Sequence, residues 1–516
     1  WLAKDGRLRL HLQQEDHQGQ DLKEKEIEMK KVFAILAALV LVAQVQPTYA
    51  ADAYNAEAAP APQKGGVFLI AEEGNWMPMS TLVASESNTQ DTEQWICDGA
   101  LDSACSANKA VEVRGKFLLP MCKSATDDYC VVSLEISAFG KDFESATYIR
   151  NVSGQSFPAV PSVNYPGGST PSLWEAKNSP SASGTTTYAV MAMGSVSRRK
   201  SSNFEMSAFS ATVVPYREQT GSWKDPVQID GKGQDIRGTR KRFVGVDGYD
   251  QACAWNEQGA CGVPQDFAEG TRVRLTVRIA STIGGWFKGR MKDPLISVSK
   301  FSKTNNEIVV ESQPATVARM SYTVQDTKDL TAKETTFFNR NGGRGSNDGF
   351  MTWAPAWQSE TFEYVDYFRP KVTDTASGNS TFWNFSTSDV DGGANKCLAD
   401  KSKVLGLVTT NAMVFDGGVP KFTGGFLNYK VAGLHYAPGG QELNLGVYDM
   451  VMRSETARCL YGFSKAPLSA TVSVVNEKGT KTTATTVVNE KNGWLKMAAY
   501  GFTFSKKTIK VKISKK

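Results

Sequence analysis

This sequence predicts a mainly β protein, with two or three β-sandwich-like domains behind a cleaved signal peptide. Three observations carry that expectation. Short alternating apolar and polar runs recur between Gly/Ser/Asn-rich turns, and long helical repeats are scarce. The eight cysteines include three neighbouring pairs that share the spacing C-x7-C. Residues 29–50 run basic, then apolar, then small, which is the form of an export signal.

In Met29–Ala50, Lys30 and Lys31 precede the unbroken apolar run Val32–Ala43. Pro47 then breaks the helix, and Thr48-Tyr49-Ala50 offers small residues for cleavage before Ala51. A membrane span needs about 20 apolar residues, and Gln44, Gln46 and Pro47 interrupt this run first. The expected location is secreted, extracellular or cell-surface, with no transmembrane span in the mature form. Residues 1–28 begin at Trp1 and put a charged stretch ahead of the signal. Lys25-Glu26 is encodable by a purine-rich ribosome-binding sequence. The segment is therefore expected to be a mistranslated leader, with Met29 as the start. Residues 51–65, with Pro60 and Pro62, read as an Ala/Pro-rich spacer.

The folded remainder is too long for one compact core and divides by its turn signals into three regions. Residues 66–232 form a β domain with two C-x7-C loops. Residues 233–393 form a β domain with one such loop and an aromatic cluster. Residues 394–516 form a C-terminal, immunoglobulin-like sandwich. The balance of 58 Lys+Arg against 53 Asp+Glu is weakly basic, and the first fifty residues carry equal numbers of each sign. A charge this small for the length calls for no nucleic-acid partner.

An exported chain oxidises its thiols. The repeated spacing pairs Cys97 with Cys105, Cys122 with Cys130 and Cys253 with Cys261, leaving Cys397 for Cys459. Loop closure makes each short bridge worth about 2.5 kcal/mol and the long one roughly 4 kcal/mol. Zinc thiolates favour closer spacing and histidine, and only His435 follows the signal. No metal and no cofactor are expected.

The elements follow in order. Gly115–Met121 and Val131–Phe139 are strands flanking the stapled hairpin loop CKSATDDYC. Ser153–Ser183 is a long Ser/Pro/Gly excursion, and Thr185–Val196 and Met206–Tyr216 are strands around it. Thr271–Ile279 puts Val273, Leu275 and Val277 on one side and Arg272, Arg274, Thr276 and Arg278 on the other. Leu295–Phe301 and Glu307–Ser312 continue that region, and Asn339–Gly349 is a Gly/Asn loop. Glu442–Met452, Ser469–Asn476, Thr483–Asn489, Trp494–Phe504 and Thr508–Ser514 are the strands of the last region. The segments RCLYGFSKAPLSATVSV and ATTVVNEKNGWLKMAAYGFTFS there resemble uncharacterised secreted proteins of actinobacteria. The resemblance covers about the last quarter of the chain. It implies export and carries no activity.

Chemistry is sparse. There is no G-x-S-x-G elbow, and His435 beside Tyr436 reads as structural. Gly342–Gly349 lacks the Gly-Lys-Ser/Thr of a phosphate loop. Ser388–Asn395 offers Asp389, Asp391 and Asn395, but no distal Glu, so it reads as a turn. Arg198-Arg199-Lys200, Arg237–Arg242 and the arginines of Thr271–Ile279 are a candidate polyanion face, weighed against ordinary solvated turn charge. Among the aromatics from Phe350 to Phe385, Trp353, Trp357 and Trp383 with Asn347 and Asp348 are the candidate ligand residues. Indole rings stack on sugar C–H faces and the amide and carboxylate take hydroxyls, although a packed core is also aromatic-rich. No catalytic residue is assigned; Glu360, Glu363 and Asp366 are carboxylates only by neighbourhood. The expected function is a non-enzymatic secreted or surface protein binding carbohydrate or cell-envelope polymer. The alternatives are a secreted hydrolase with a carboxylate pair and a structural envelope component.

Overall fold

A computed structural model describes residues 66–71, 78, 80–85, 94–106, 110–152, 156–199, 203–219, 254–255, 261–340, 350–388, 395–464, 468–476, 478–482 and 484–515. The expected leader, signal peptide and spacer lie outside the described residues. Of the described residues 56% are strand and 10% helix, so the protein is mainly β.

The strands that build the architecture are β1 (Gly66–Ala71), β2 (Thr81–Ser85), β3 (Glu112–Leu118), β4 (Cys130–Ser137), β5 (Thr187–Arg199) and β6 (Glu205–Gln219). Then come β7 (Arg272–Ala280), β8 (Gly285–Lys300), β9 (Asn305–Arg319), β10 (Ser321–Val324), β11 (Phe350–Pro355), β12 (Gly378–Thr387) and β13 (Val404–Thr410). The last are β14 (Phe426–Ala432), β15 (Leu445–Arg453), β16 (Leu468–Asn476), β17 (Thr485–Lys491), β18 (Trp494–Thr503) and β19 (Lys507–Lys515). Among the described residues three α-helices join them: α1 (Ala332–Arg340), α2 (Thr361–Phe368) and α3 (Ser454–Tyr461).

One long sheet has the order β2-β3-β5-β6-β12-β8-β13-β15-β18-β17. Its neighbours are antiparallel except β8 and β13. A second sheet has the order β4-β7-β9-β8. β8 serves both. Its first part pairs with β12 and β13, and from Met291 onward it pairs with β9. It changes sheets at a bulge, where register slips between Lys292 and Leu295. Asp293 at that bulge has φ 56°, a left-handed conformation that Asp tolerates better than most residues. Strands that turn between layers in this way form the corners of sandwiches. The three regions expected from composition share these layers. β6 pairs with β12 across the expected boundary at 232/233, and β8 with β13 across that at 393/394. Turn residues mark where a chain reverses, not which distant strand it will pair with.

Phe117, Leu134, Val213, Leu275, Val310 and Phe385 fill the core between the two sheets. A second core lies on the other face of the long sheet. There Leu405, Val408, Met450 and Met497 meet Tyr429, Ile509 and Val511 of a third sheet containing β14-β19-β16. β13 feeds both cores: Val404 and Leu407 point into the first, Leu405 and Val408 into the second. A strand buried on both faces reads as an unbroken apolar run, here VLGLV, without alternation. Gly406 is required at its centre, because a Cβ there would lie 2.5 Å from the Trp286 ring. The small sheet β10-β1-β11 and helices α1 and α2 complete this second core through Phe68, Phe337, Tyr364 and Phe368.

Three of the four expected disulfides are present: Cys97–Cys105, Cys122–Cys130 and Cys397–Cys459. Cys253 lies outside the described residues, as does the side chain of Cys261 on a short strand, Cys261–Pro264. Cys459 sits on α3, which stops at the left-handed Gly462, whose N–H caps the carbonyls of Arg458 and Cys459.

Candidate functional site

Of the expected ligand residues, only Trp357 and Trp383 have described side chains. Trp383 is 0% exposed, with its ring edge-on to Phe385 at 6.0 Å inside the first core, so no face is open to a sugar. Trp357 is half-buried at the rim of the second core, and its carbonyl accepts the Gly417 N–H at 3.1 Å. Trp353 lies on β11 opposite Leu69, its side chain outside the described residues, as are Asn347 and Asp348. Aromatic type marks a strand or helix here, but not which side it shows.

The same stretch does build a different surface. Thr331-Ala332-Lys333-Glu334 is a capping box opening α1: the Thr331 N–H donates to Glu334 Oε2 at 2.8 Å, and the Glu334 N–H to Thr331 Oγ1 at 3.2 Å. That motif was readable in the sequence. It fixes Glu334, whose other oxygen meets Lys371 Nζ at 3.2 Å. Burial opposes ionisation of Glu334, but Thr331, Lys371 and Tyr322 together hold its carboxyl below the usual range. Lys371 Nζ in turn stands 5.7 Å from the Tyr322 ring and 5.1 Å from that of Tyr367. Lys333 Nζ stands 5.1 Å from Tyr367 and 3.6 Å from Glu363. Both tyrosines are half-buried, so this face offers phenol rings with ammonium groups standing over them.

A second cluster gathers at the bulge of β8. Asp449, on β15, is 0% exposed. Its Oδ1 accepts from the Tyr500 hydroxyl at 2.5 Å and lies 3.6 Å from Lys496 Nζ, and its Oδ2 accepts the Asp293 N–H at 3.1 Å. Lys496 Nζ also lies directly against Asp293 Oδ1, while Arg272 Nη1 donates to Asp293 Oδ2 at 3.2 Å. Burial pushes Asp449 up to about 6, against the pull of Lys496 and Tyr500. Burial also opposes ionisation of Asp293, but Lys496 and Arg272 outweigh it and hold the group below its ordinary value. Burial and the Asp449 carboxylate raise the Tyr500 phenol.

The arginines expected as a polyanion face are instead neutralised in a ladder. Arg272 and Arg274 both reach Glu311, at 3.0 and 2.8 Å, Arg274 also meets Glu135 at 3.1 Å, and Arg278 meets Glu307 at 3.0 Å. Alternation placed Arg272 and Arg274 on a half-exposed face, but Arg278 is buried, donating to the Ala125 and Asp127 carbonyls; the acidic partners come from neighbouring strands. Arg198 donates to the Cys105 carbonyl and covers Phe204, while Lys200 and residues 237–242 lie outside the described residues. His435 Nδ1 is 3.0 Å from the Phe504 carbonyl oxygen, which fits a structural role. Asp366 pairs with Lys506 at 3.0 Å, and Glu360 precedes α2 at its N-cap. Asp389 and Asp391 lie outside the described residues, and Asn395 accepts the Cys397 N–H. Among the described residues no group of three His, Cys, Asp or Glu could hold a metal, and no helix is long and apolar enough to cross a membrane. No protein-family model and no curated protein matches the chain.

Proposed function

We propose that this is an exported, non-enzymatic protein that binds an acidic carbohydrate or cell-envelope polymer through the face built by Tyr322, Lys333, Tyr367 and Lys371. The single observation carrying the reading is Tyr367, whose half-open ring lies 5.1 Å from both lysine ammoniums. Such a ring stacks on sugar C–H groups, while an ammonium that swings aside meets a uronate, sulfate or phosphodiester. The three disulfides favour an oxidising compartment. A carboxylate-pair hydrolase is less well supported. Asp449 has no exposed surface, and Glu363 and Asp366 are engaged by Lys333 and Lys506.

The test is a polysaccharide array, followed by calorimetry, on residues 51–516. Tyr367→Ala is expected to weaken binding roughly fivefold to tenfold, in line with about 1–1.4 kcal/mol for one aromatic contact. Lys333→Met, at a half-exposed side chain, should weaken acidic ligands and spare neutral ones. Silence on the array, or affinity indifferent to Tyr367→Ala, sinks the proposal. Release of reducing ends from a bound polymer would favour the hydrolase.

A further inference from the structure

We infer that Lys496 and Asp293 are the two halves of an intramolecular amide cross-link, closed with Asp449 as its proton relay. The inference is independent of the ligand proposal, because it rests on other residues, gathered at the bulge of β8.

Three features of the cluster are those such a reaction needs. The nucleophile is secluded: the Lys496 side chain is 13% exposed, and its Nζ lies against the Asp293 carboxylate. The electrophile is held in place. Asp293 sits at the left-handed bulge, its N–H is donated to Asp449 Oδ2, and its Oδ2 accepts from Arg272. The relay is buried: Asp449 Oδ1 is 3.6 Å from the amine and is oriented by the Tyr500 hydroxyl. Its burial brings its proton affinity close to neutrality, so it can both accept and return a proton.

The chemistry balances without an outside reagent. One proton passes from the Lys496 ammonium through Asp449 to Asp293 Oδ1, leaving a neutral amine beside a carboxylic acid. The nitrogen lone pair then forms a bond to Asp293 Cγ, and the carbonyl electrons move to Oδ2, where Arg272 donates to the developing negative charge. The nitrogen's second proton goes by way of Asp449 to the Oδ1 hydroxyl, which leaves as water when the carbonyl re-forms. Asp449 ends as it began. The Asp293 side chain is 46% open, so the water escapes to solvent. The product ties together residues 203 apart in the chain, at the point where β8 leaves the long sheet.

Intact mass and peptide mapping of residues 51–516 test this. The expected protein, after reduction of its disulfides, is lighter than its sequence by one water. Trypsin then fails to cut after Lys496, and a branched peptide joins Lys496 to Asp293. Cyclisation of Asp293 onto the next amide cannot mimic the loss, because Pro294 has no N–H. Asp293→Asn should form the same bond by releasing ammonia, giving a product of the same mass as the wild type. Lys496→Met and folded Asp449→Asn should stay unlinked at full mass. A wild-type protein of full mass, with Lys496 freely cleaved, overturns the cross-link. A linked Asp449→Asn protein overturns the relay.

Discussion

Two charge networks meet at Asp293, and they use the same kinds of residue in opposite ways. On the outer face of the second sheet, Arg272, Arg274 and Arg278 alternate with Glu135, Glu307 and Glu311, and the glutamates keep between 17% and 29% of their side-chain surface in water. At the bulge of β8, Asp449 of β15 has none. Charges that stay wet cost little to place and contribute little when paired. A charge taken wholly out of water is tolerated only while its partners remain, so removing one partner exposes the full desolvation penalty. The ladder should therefore be dispensable and the buried cluster should not.

The sharpest way to break this comparison is Asp449→Ala. It leaves the half-buried Tyr500 hydroxyl and the Asp293 N–H without their acceptor and removes the countercharge of Lys496. The expected loss is about 3–5 kcal/mol in equilibrium chemical denaturation. A loss under about 1 kcal/mol would place Asp449 in the same class as the ladder carboxylates.

The pH dependence should be next in size. Asp449 titrates at about 6 in the fold against an ordinary value of 3.8. A raised carboxyl stabilises the fold most when it is protonated in both states, and that contribution disappears as pH rises through the folded value. Relative to Asp449→Asn, wild-type protein in which Lys496 and Asp293 are still unlinked should therefore lose stability between about pH 4 and pH 6, by at most about 1.4 kcal/mol per unit, and stay level above. The comparison with the variant is essential, because in unlinked protein Asp293 is shifted the other way and loses its contribution as pH falls. Parallel melting-temperature curves for the two proteins would contradict the burial of this group.

What the sequence reveals about these networks follows from how local each feature is. The Cys97–Cys105 and Cys122–Cys130 bridges close within eight residues, so spacing alone disclosed them. The half-exposed side of Arg272 and Arg274 was legible from alternation on a single strand, while Arg278, past a register shift after Thr276, is buried. Their neutralisation was not, because Glu307 and Glu311 arrive on β9 and Glu135 on β4. β13 has no alternation to read, since both of its faces are buried. Trp383 was placed among ligand residues because its type suits a sugar, but the side of β12 it occupies is decided by the pairing with β6 and β8. The cluster at Asp293 was the least accessible of all. Its members are 156 and 203 residues away, and no local pattern in any of the three strands announces it.

The smallest expected effect sharpens the contrast from the other side. Glu311 is the best-connected member of the ladder, touching both Arg272 and Arg274. Glu311→Gln keeps its shape and half of its hydrogen-bonding capacity while removing the charge. Arg272 retains Asp293, and Arg274 retains Glu135. The expected destabilisation is about 0.5–1 kcal/mol at low salt, shrinking further near 1 M salt, where screening acts within about 3 Å. Two measurements by chemical denaturation, one at each ionic strength, check it. A loss above about 2 kcal/mol that salt does not reduce would mean that the ladder shares the low-dielectric character of Asp449. Arg272, which touches Glu311 and Asp293 together, would then join the two networks into one.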